Sequence, residues 1–446
     1  MRLKSWFATL VALLVVTNFA VTSAMAAAPE KILHTWNTVV LRLVRHTPTY
    51  SPPVASRAFA YLGVTAFEAV ASGSDELRSL AGQLNGLEAL PQREAGKSYD
   101  EAVVVQAAMS LSVKEFFGNT GPTGQRVIAK VDEKLSTEVR AGVPADVLTR
   151  SEAHGRAVAE HILRWSLDDG GAVVENMGFP YQYTLTKGDA NWVPTSPVSQ
   201  QQLPLLPGWG KNRTFAMPDG AACPLPEPPP YSEDLASRFY REALEVYETT
   251  KALTDEQRAI AKFWSDDPML SPTPPGHWMS IALDIMERDG MALERRVDVL
   301  ARLGIAIADG FIGCWNSKFQ YDLLRPVTYI RRVIDPKFEP LLITPPFPEY
   351  PSGHSTQSGA AAAVLTDALG ENFAFADRTH EREGLGVRSY PDFWTAANEA
   401  GISRLYGGIH FRAAIERGLD QGRCVGAHGN SSRKCRRNSL DSTRTD

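Results

Sequence analysis

The chain has 446 residues, 43% of them apolar and 22% charged, which excludes a disordered or low-complexity polypeptide and leaves ample material for a large buried core. One large domain or two fused ones both fit that length. The formal charge is −5, or −7 once Arg2 and Lys4 of the first segment are discounted, and this argues against a nucleic-acid partner.

Residues Met1 to Ala26 read as a signal peptide: Arg2 and Lys4 precede the apolar stretch from Phe7 to Val16, and Ala24-Met25-Ala26 forms a small-x-small cleavage site. The expectation is therefore an exported protein, periplasmic or extracellular, with an uncleaved N-terminal anchor as the alternative. No later stretch reaches the roughly 18 to 20 uninterrupted apolar residues that span a bilayer, so no stable membrane insertion is expected after cleavage.

From His34 onward, apolar residues recur at helical spacing through Trp36, Val39, Val40, Leu43 and Val44. A second helix is expected after Pro52-Pro53, and others over about 98–117, 124–140 and 145–167. No strand-type alternation stands out in this half. Between Asp168 and Tyr231 the pattern breaks into Gly170-Gly171, scattered prolines, Trp192, Trp209 and the run Pro224–Pro230. A long aperiodic stretch of this kind is a lid, a wrap over another surface, or a flexible segment, and here it also offers a division between two helical halves, 27–230 and 231–430. Helices resume over 232–249 and 256–264, the latter with Thr254 as its cap, then over 277–286 and 291–315, whose Ala, Gly, Ile and Leu content suits the centre of a bundle. The fold class is all-α, or mainly α, with long Pro-rich loops.

Residues 431–446 carry five basic side chains among serines without an apolar period and are expected to be disordered. Cys223, Cys314, Cys424 and Cys435 show neither C-x-x-C nor zinc spacing. Export permits disulfides, and Cys314, inside an apolar helix, reads equally well as a buried thiol.

Three fragments carry chemistry. Trp315-Asn316-Ser317-Lys318 and Arg325-Pro326 place two cations seven residues apart, about two helical turns, so that a continuous helix would present them on one face. Such a pair is either a solvated basic face or two walls of an anion site. The run Pro345-Pro346-Phe347-Pro348-Glu349-Tyr350-Pro351-Ser352-Gly353-His354-Ser355 sets a hydroxyl, a glycine N–H and an imidazole where a proline-rich turn meets a helix. Oriented N–H groups and a favourable dipole end suit an oxyanion there, while a plain capping turn with a surface histidine is the simpler reading. The third fragment, Ser403-Arg404 with His410 six residues after the arginine, is alone compatible with an ordinary ion pair and an ordinary histidine.

Taken together as Lys318-x6-Arg325-Pro326, Pro351-Ser352-Gly353-His354 and Ser403-Arg404-x5-His410, the set resembles the vanadium-dependent haloperoxidases and the related type 2 phosphatidic-acid-phosphatase-like acid phosphatases. The resemblance implies a helical bundle, and a site in which Lys318, Arg325, Arg404, Ser352 and the Gly353 N–H hold vanadate or phosphate. It implies His410 as the ligand to vanadium or as the phosphatase nucleophile, and His354 as the acid–base group. Trp315 and Phe347 resemble aromatic positions beside the vanadate in fungal chloroperoxidases, where ring edges can hold a halide; core packing is the alternative. Phe263-Trp264-Ser265-Asp266-Asp267 resembles the stretch that supplies an acid to the vanadate-binding arginine, with Asp267 the first candidate for Arg404 and Asp266 the second. The opening Ser51–Ala58 through Glu68-Ala69-Val70 further resembles bacterial haloperoxidase-like proteins.

One position departs from the family. The third motif there ends His-x3-Asp, but the residue four after His410 is Ala414, so another group must orient His410; Glu416 points elsewhere on a helix. His277, in Pro275-Gly276-His277-Trp278, reads as a structural or rim residue. The function the resemblance implies is oxidation of halide by hydrogen peroxide at a histidine-bound vanadate. The alternatives are phosphomonoester hydrolysis through a phosphohistidine and a non-catalytic oxyanion-binding protein. A homodimer stays open.

Overall fold

The apolar stretch expected over 291–315 forms the longest helix of the molecule, Leu293–Tyr321, whose residues from Arg296 to Trp315 are buried without interruption. A helix buried on every side must be enclosed on every side, its buried Arg296, Asp298, Arg302 and Asp309 included, and the remaining elements are arranged to do that. The computed structural model describes residues 27–174, 179–180, 182–196 and 202–431; the expected signal peptide, Cys435 and the basic tail beyond 431 lie outside the described residues. In chain order the helices are α1 Pro29–Arg45, α2 Pro52–Ala71, α3 Glu101–Phe116, α4 Gly121–Arg140, α5 Ala145–Ser166, the single turn α6 Gly171–Val174, α7 Arg238–Lys251, α8 Asp255–Phe263, α9 Thr273–Arg288, α10 Leu293–Tyr321, α11 Pro326–Val333, α12 Gly353–Leu369, α13 Phe393–Tyr406 and α14 Arg412–Ser431. The fold is all-α in substance. A two-stranded antiparallel ribbon, β1 Phe375–Asp377 with β2 Arg388–Tyr390, pairs Asp377 with Arg388; at three residues each, these strands are too short to show a period in the sequence.

Local chemistry explains the helix ends. Thr254 begins α8 through a reciprocal capping box with Gln257, Asp100 accepts from the Val103 N–H at the start of α3, and Gly370, at φ 115°, stops α12. Two close crossings hold the bundle. At the α2–α10 crossing, a Cβ on Gly63 would lie 2.8 Å from the Leu300 carbonyl oxygen and one on Gly304 2.9 Å from that of Phe59. At the α12–α14 crossing, a Cβ on Gly422 would lie 2.3 Å from the Thr356 carbonyl oxygen. By length and composition α2 could cross a membrane, yet 94% of its apolar window is buried inside the protein. One hydrophobic cluster runs from Ile32 on α1 to Val425 on α14 through α10, and a smaller one gathers Phe239, Leu324, Tyr329, Tyr350, Phe411 and Ala414.

Lys318 and Arg325 do not share a helix. Asp322 takes a left-handed conformation at φ 45° and closes α10, and Arg325 sits at the N-cap of α11; Pro326 explains the restart, since proline favours the first helical position and disfavours helix in the residue before it. The described part of the Pro-rich segment wraps over the C-terminal helices. The Trp192 N–H donates to the Asp322 carbonyl at 2.8 Å, the Leu205 N–H to that of Pro346 at 2.8 Å, and a Cys223–Cys424 disulfide ties the segment to α14. Cys314 is a buried free thiol.

Candidate active site

The Pro345–Ser355 run is pinned from three sides. Ser352 is the N-cap of α12, its hydroxyl accepting from the Ser355 N–H at 3.3 Å, while its own N–H donates to the Ala414 carbonyl at 3.0 Å. Tyr350 donates to the Pro226 carbonyl at 2.6 Å. Lys318, fully buried, donates to the carbonyls of Pro348 at 2.8 Å, Glu349 at 3.0 Å and Pro351. The last turn of α10 thereby holds the turn that precedes Ser352. Burial pushes the Lys318 ammonium down to about 7, and an oxyanion beside it would restore its charge. Phe347 lies beneath the cations, its ring centroid 5.0 Å from the Arg325 guanidinium carbon and 5.2 Å from Lys318 Nζ. Its other neighbour is Trp315, at 4.9 Å between centroids, whose indole donates to the Leu205 carbonyl at 3.1 Å. The two aromatics are thus adjacent to the cations. A Cβ on Gly353 would face Trp315 at 3.8 Å, so this backbone belongs to the same wall.

The group behind His410 is Glu349. Its Oε1 accepts from His410 Nδ1 at 2.8 Å and from the Phe411 N–H at 2.8 Å. On the other side of the ring, Arg325 Nη1 donates to His410 Nε2 at 3.0 Å. A guanidinium only donates, so Nε2 carries the lone pair and Nδ1 the proton. This tautomer offers Nε2 as a metal ligand or nucleophile, and a carboxylate on the far nitrogen raises its basicity. Burial pulls the His410 pKa well below its ordinary value, reinforced by Arg325, Lys318 and Arg404. Burial pushes the Glu349 carboxyl up to about 8, against the opposing pull of Arg325 and Lys318. Among the described residues, those downstream of His410 offer no such group. The signal was a glutamate three residues before Ser352, inside a motif already in hand.

Arg404, on α13, donates through Nη1 to the Trp264 carbonyl at 2.7 Å. Asp267 and then Asp266 are the acids that favour its charge against burial. Burial raises the Asp267 carboxyl while Arg404 opposes, so Asp267 acts on Arg404 through its charge and not through a direct hydrogen bond. Asp266 turns instead toward histidines: His277 Nδ1 at 2.9 Å, His380 Nε2 at 3.3 Å and His354 Nε2 at 3.8 Å. His277 is fully buried and not at a rim, and its Nε2 meets Asp377 at 2.7 Å. Sequence reasoning missed His380 and Asp377, which stand about 100 residues downstream of these partners in a ribbon without a recognisable motif. His354 opens α12 with its side chain 14% exposed, and burial and Arg404 hold its pKa well below the ordinary value.

Several buried donors here have no protein partner: Arg325 Nη2, Arg404 Nε and His354 Nε2 are without a hydrogen bond. Buried guanidinium N–H groups are costly to leave unpaired. Two such donors, Arg325 Nη2 and Arg404 Nε, beside a neutral imidazole whose Nε2 lone pair faces Arg325, suit an oxyanion. The residues present therefore suit vanadate.

Comparison with known proteins agrees with this geometry. The model of the VCPO second helical-bundle domain matches residues 298–337 and 333–435, which contain all three fragments. No functionally curated protein matches the chain. A solved structure described as the first bacterial vanadium-dependent iodoperoxidase is 37% identical, with a TM-score of 0.82, over 90% of this chain and 96% of that one. Bacterial vanadium-dependent chloroperoxidases share the fold at 16% identity for the holo type (TM-score 0.67, 92% and 93% covered) and 15% for the apo type (TM-score 0.67, 86% and 94% covered). By its match to the iodoperoxidase over nearly its whole length, the chain belongs to the vanadium-dependent haloperoxidase family.

Proposed function

We propose that this protein is a vanadium-dependent haloperoxidase that oxidises halide with hydrogen peroxide, and that iodide is its preferred halide. The observation that carries the reading is His410, whose Nδ1 proton goes to Glu349 and whose Nε2 lone pair, here facing Arg325 Nη1, is the atom that vanadium would take over. His410 would hold the vanadium, Arg325, Arg404, Ser352 and the Gly353 N–H would orient the vanadate oxygens, and Lys318, whose three N–H groups serve the carbonyls of Pro348, Glu349 and Pro351, would contribute its charge. When bound, vanadate supplies a Lewis acid that polarises peroxide without changing oxidation state. His354, neutral in its buried setting, takes the proton that peroxide gives up and returns it when oxygen is transferred. Asp267 steadies Arg404. Trp315 and Phe347 exclude water from the side facing the cations, where a weakly hydrated anion gains most. The choice of iodide rests on the 37% identical relative, which is described as an iodoperoxidase.

The protein is further proposed to be exported, periplasmic or extracellular. The Cys223–Cys424 disulfide supports that reading, because such bonds persist in oxidising compartments. Iodide, bromide and chloride oxidation should be measured with peroxide before and after vanadate loading, beside turnover of an aryl phosphate. Vanadate-dependent activity greatest with iodide is the expected outcome. Phosphatase turnover that vanadate inhibits, without halide oxidation, would overturn the assignment.

A further inference from the structure

Behind His354 lies a layer of titratable side chains that the reaction above does not use. Asp266 is held at φ 50°, a left-handed conformation that aspartate tolerates better than most residues, and its Oδ1 accepts from His277 Nδ1 at 2.9 Å. The His277 ring is clamped flat against Trp264, with centroids 4.3 Å apart. Its Nε2 lies 2.7 Å from Asp377 Oδ2, and Asp377 Oδ1 is itself fixed by the Thr379 N–H at 2.9 Å. His380 approaches Asp266 Oδ1 at 3.3 Å with its ring edge-on to Phe263. An imidazole between two carboxylates must carry a proton on each nitrogen, since a bare nitrogen would face an oxygen lone pair. His277 is then a buried cation between two buried anions, and its own charge leaves one negative charge over. Asp266 Oδ2 lies 3.8 Å from His354 Nε2, a buried nitrogen with no partner at hydrogen-bonding distance.

We propose that Asp266, clamped by His277–Asp377 and His380, is the positioning carboxylate of His354: it holds the tautomer with the proton on Nε2, leaving Nδ1 to accept the peroxide proton, and then stabilises the imidazolium. This rests on the assignment of His354 as the acid–base group. In the step, the peroxide O–H bond breaks, an Nδ1–H bond forms, and no electron is transferred to the protein. The 3.8 Å separation shortens to a charge-assisted hydrogen bond as the ring becomes cationic, consistent with catalytic contacts being long before the reacting complex forms. The charged and titratable groups facing His354 are Arg404 from α13, Asp266 from the turn after α8, His277 from α9, and His410. Asp266 is the one among these charged groups that favours the protonated ring, and the Trp264 backbone favours it as well. The arrangement differs from the role the sequence offered Asp266, that of a substitute partner for Arg404.

The test uses Asp266→Asn and Asp377→Asn in the full chain. Ring-nitrogen NMR of histidine-labelled, vanadium-free protein reads tautomers directly, with His354 assigned by its loss in His354→Gln. Wild type should show His277 protonated on both nitrogens at neutral pH and His354 on Nε2. In Asp266→Asn, His354 should lose that tautomer preference and become at least tenfold less basic, with vanadate affinity within about threefold of wild type. The kcat/KM for peroxide should fall about ten- to a hundredfold, and the acid limb of its pH profile should move to lower pH. Asp377→Asn, which leaves the Asp266–His354 contact in place, should show the same changes more weakly. A folded Asp266→Asn protein with an unchanged His354 tautomer, or with unchanged peroxide kinetics and pH limb, would overturn the proposal. So would a stoichiometric divalent metal in the wild-type protein that His277→Gln abolishes, because Asp266, His277 and His380 place ligand atoms within 4.8 Å of one another. If wild type oxidises no halide, the functional reading fails, while the NMR measurement still decides the role of Asp266.

Discussion

Glu349→Gln isolates the charge behind His410. The glutamine side chain keeps the shape, and its Oε1 can still accept from His410 Nδ1 and the Phe411 N–H, both now at 2.8 Å. Its amide nitrogen replaces Oε2, which has no partner in the protein. What is lost is charge assistance to two buried hydrogen bonds, each worth about 1 kcal/mol more to an ionised acceptor than to a neutral one. A loss of about 2 kcal/mol corresponds to roughly thirtyfold, inside the ten- to hundredfold range usual for partners that orient a metal-bound histidine. Vanadate affinity should be measured by calorimetry on vanadium-free protein at about pH 9, above the value of about 8 to which burial pushes this carboxyl, so that wild type is compared in its ionised form. Halide oxidation should fall in step with affinity at subsaturating vanadate. A folded Glu349→Gln protein that binds vanadate within threefold of wild type would show that Glu349 only fills space, and that His410 is oriented by Arg325 alone.

Three further outcomes follow from the same geometry. Gly422→Ala puts a methyl 2.3 Å from the Thr356 carbonyl oxygen and pushes α14 from α12, which should lower stability by about 1–3 kcal/mol and, because Ala414 anchors Ser352, reduce vanadate affinity as well; denaturant unfolding and calorimetry check both. Reducing Cys223–Cys424, which spans 201 residues, should cost roughly 2–5 kcal/mol, read as a lower Tm in dithiothreitol that Cys223→Ser/Cys424→Ser reproduces without reductant. His277 gives an alkaline signature: burial opposes its charge, but Asp266 and Asp377 raise its pKa to about 10, so its contribution is complete below the unfolded value near ~6.5 and is lost as pH rises through about 10. That window holds a few kcal/mol, and urea unfolding between about pH 7 and 10 should slope downward in wild type and less so in His277→Gln.

The sequence made the bundle legible because a central helix such as α10 is rich in Ala, Gly, Ile and Leu around its few charged residues, and because Thr254 and Gly370 mark helix ends by their own chemistry. It made the oxyanion site legible because three short motifs each carry their chemistry within a few residues. Two features stayed hidden for a common reason. The seven-residue spacing of Lys318 and Arg325 looked helical, but left-handed Asp322 and Pro326 break the helix between them, and the two cations converge through the fold and not through a shared face. Asp377 and His380 likewise reach His277 and Asp266 only through a three-residue ribbon. Contacts of long sequence separation leave no periodicity to read.

The alanine at position 414 looked like a missing part, and the structure turns it into half of an exchange. Ala414 is fully buried and lines the same small cavity as Glu349, about 10 Å³ in volume, while its carbonyl holds the Ser352 N–H. An aspartate there would add a carboxylate beside Glu349 in a cavity that Glu242 also lines, and buried like charges this close cannot all stay ionised. Glu349 orients His410 from that space, and each further acid there repels it, as Glu242 already does by raising its carboxyl. The carboxylate that the third motif lacks is therefore supplied by the second, from the residue whose carbonyl Lys318 grips and whose side chain reaches His410. On this reasoning Ala414→Asp should weaken folding and vanadate binding in the wild-type background, and should recover part of the affinity lost by Glu349→Gln, where the competing charge is gone; calorimetry on the four combinations measures that coupling.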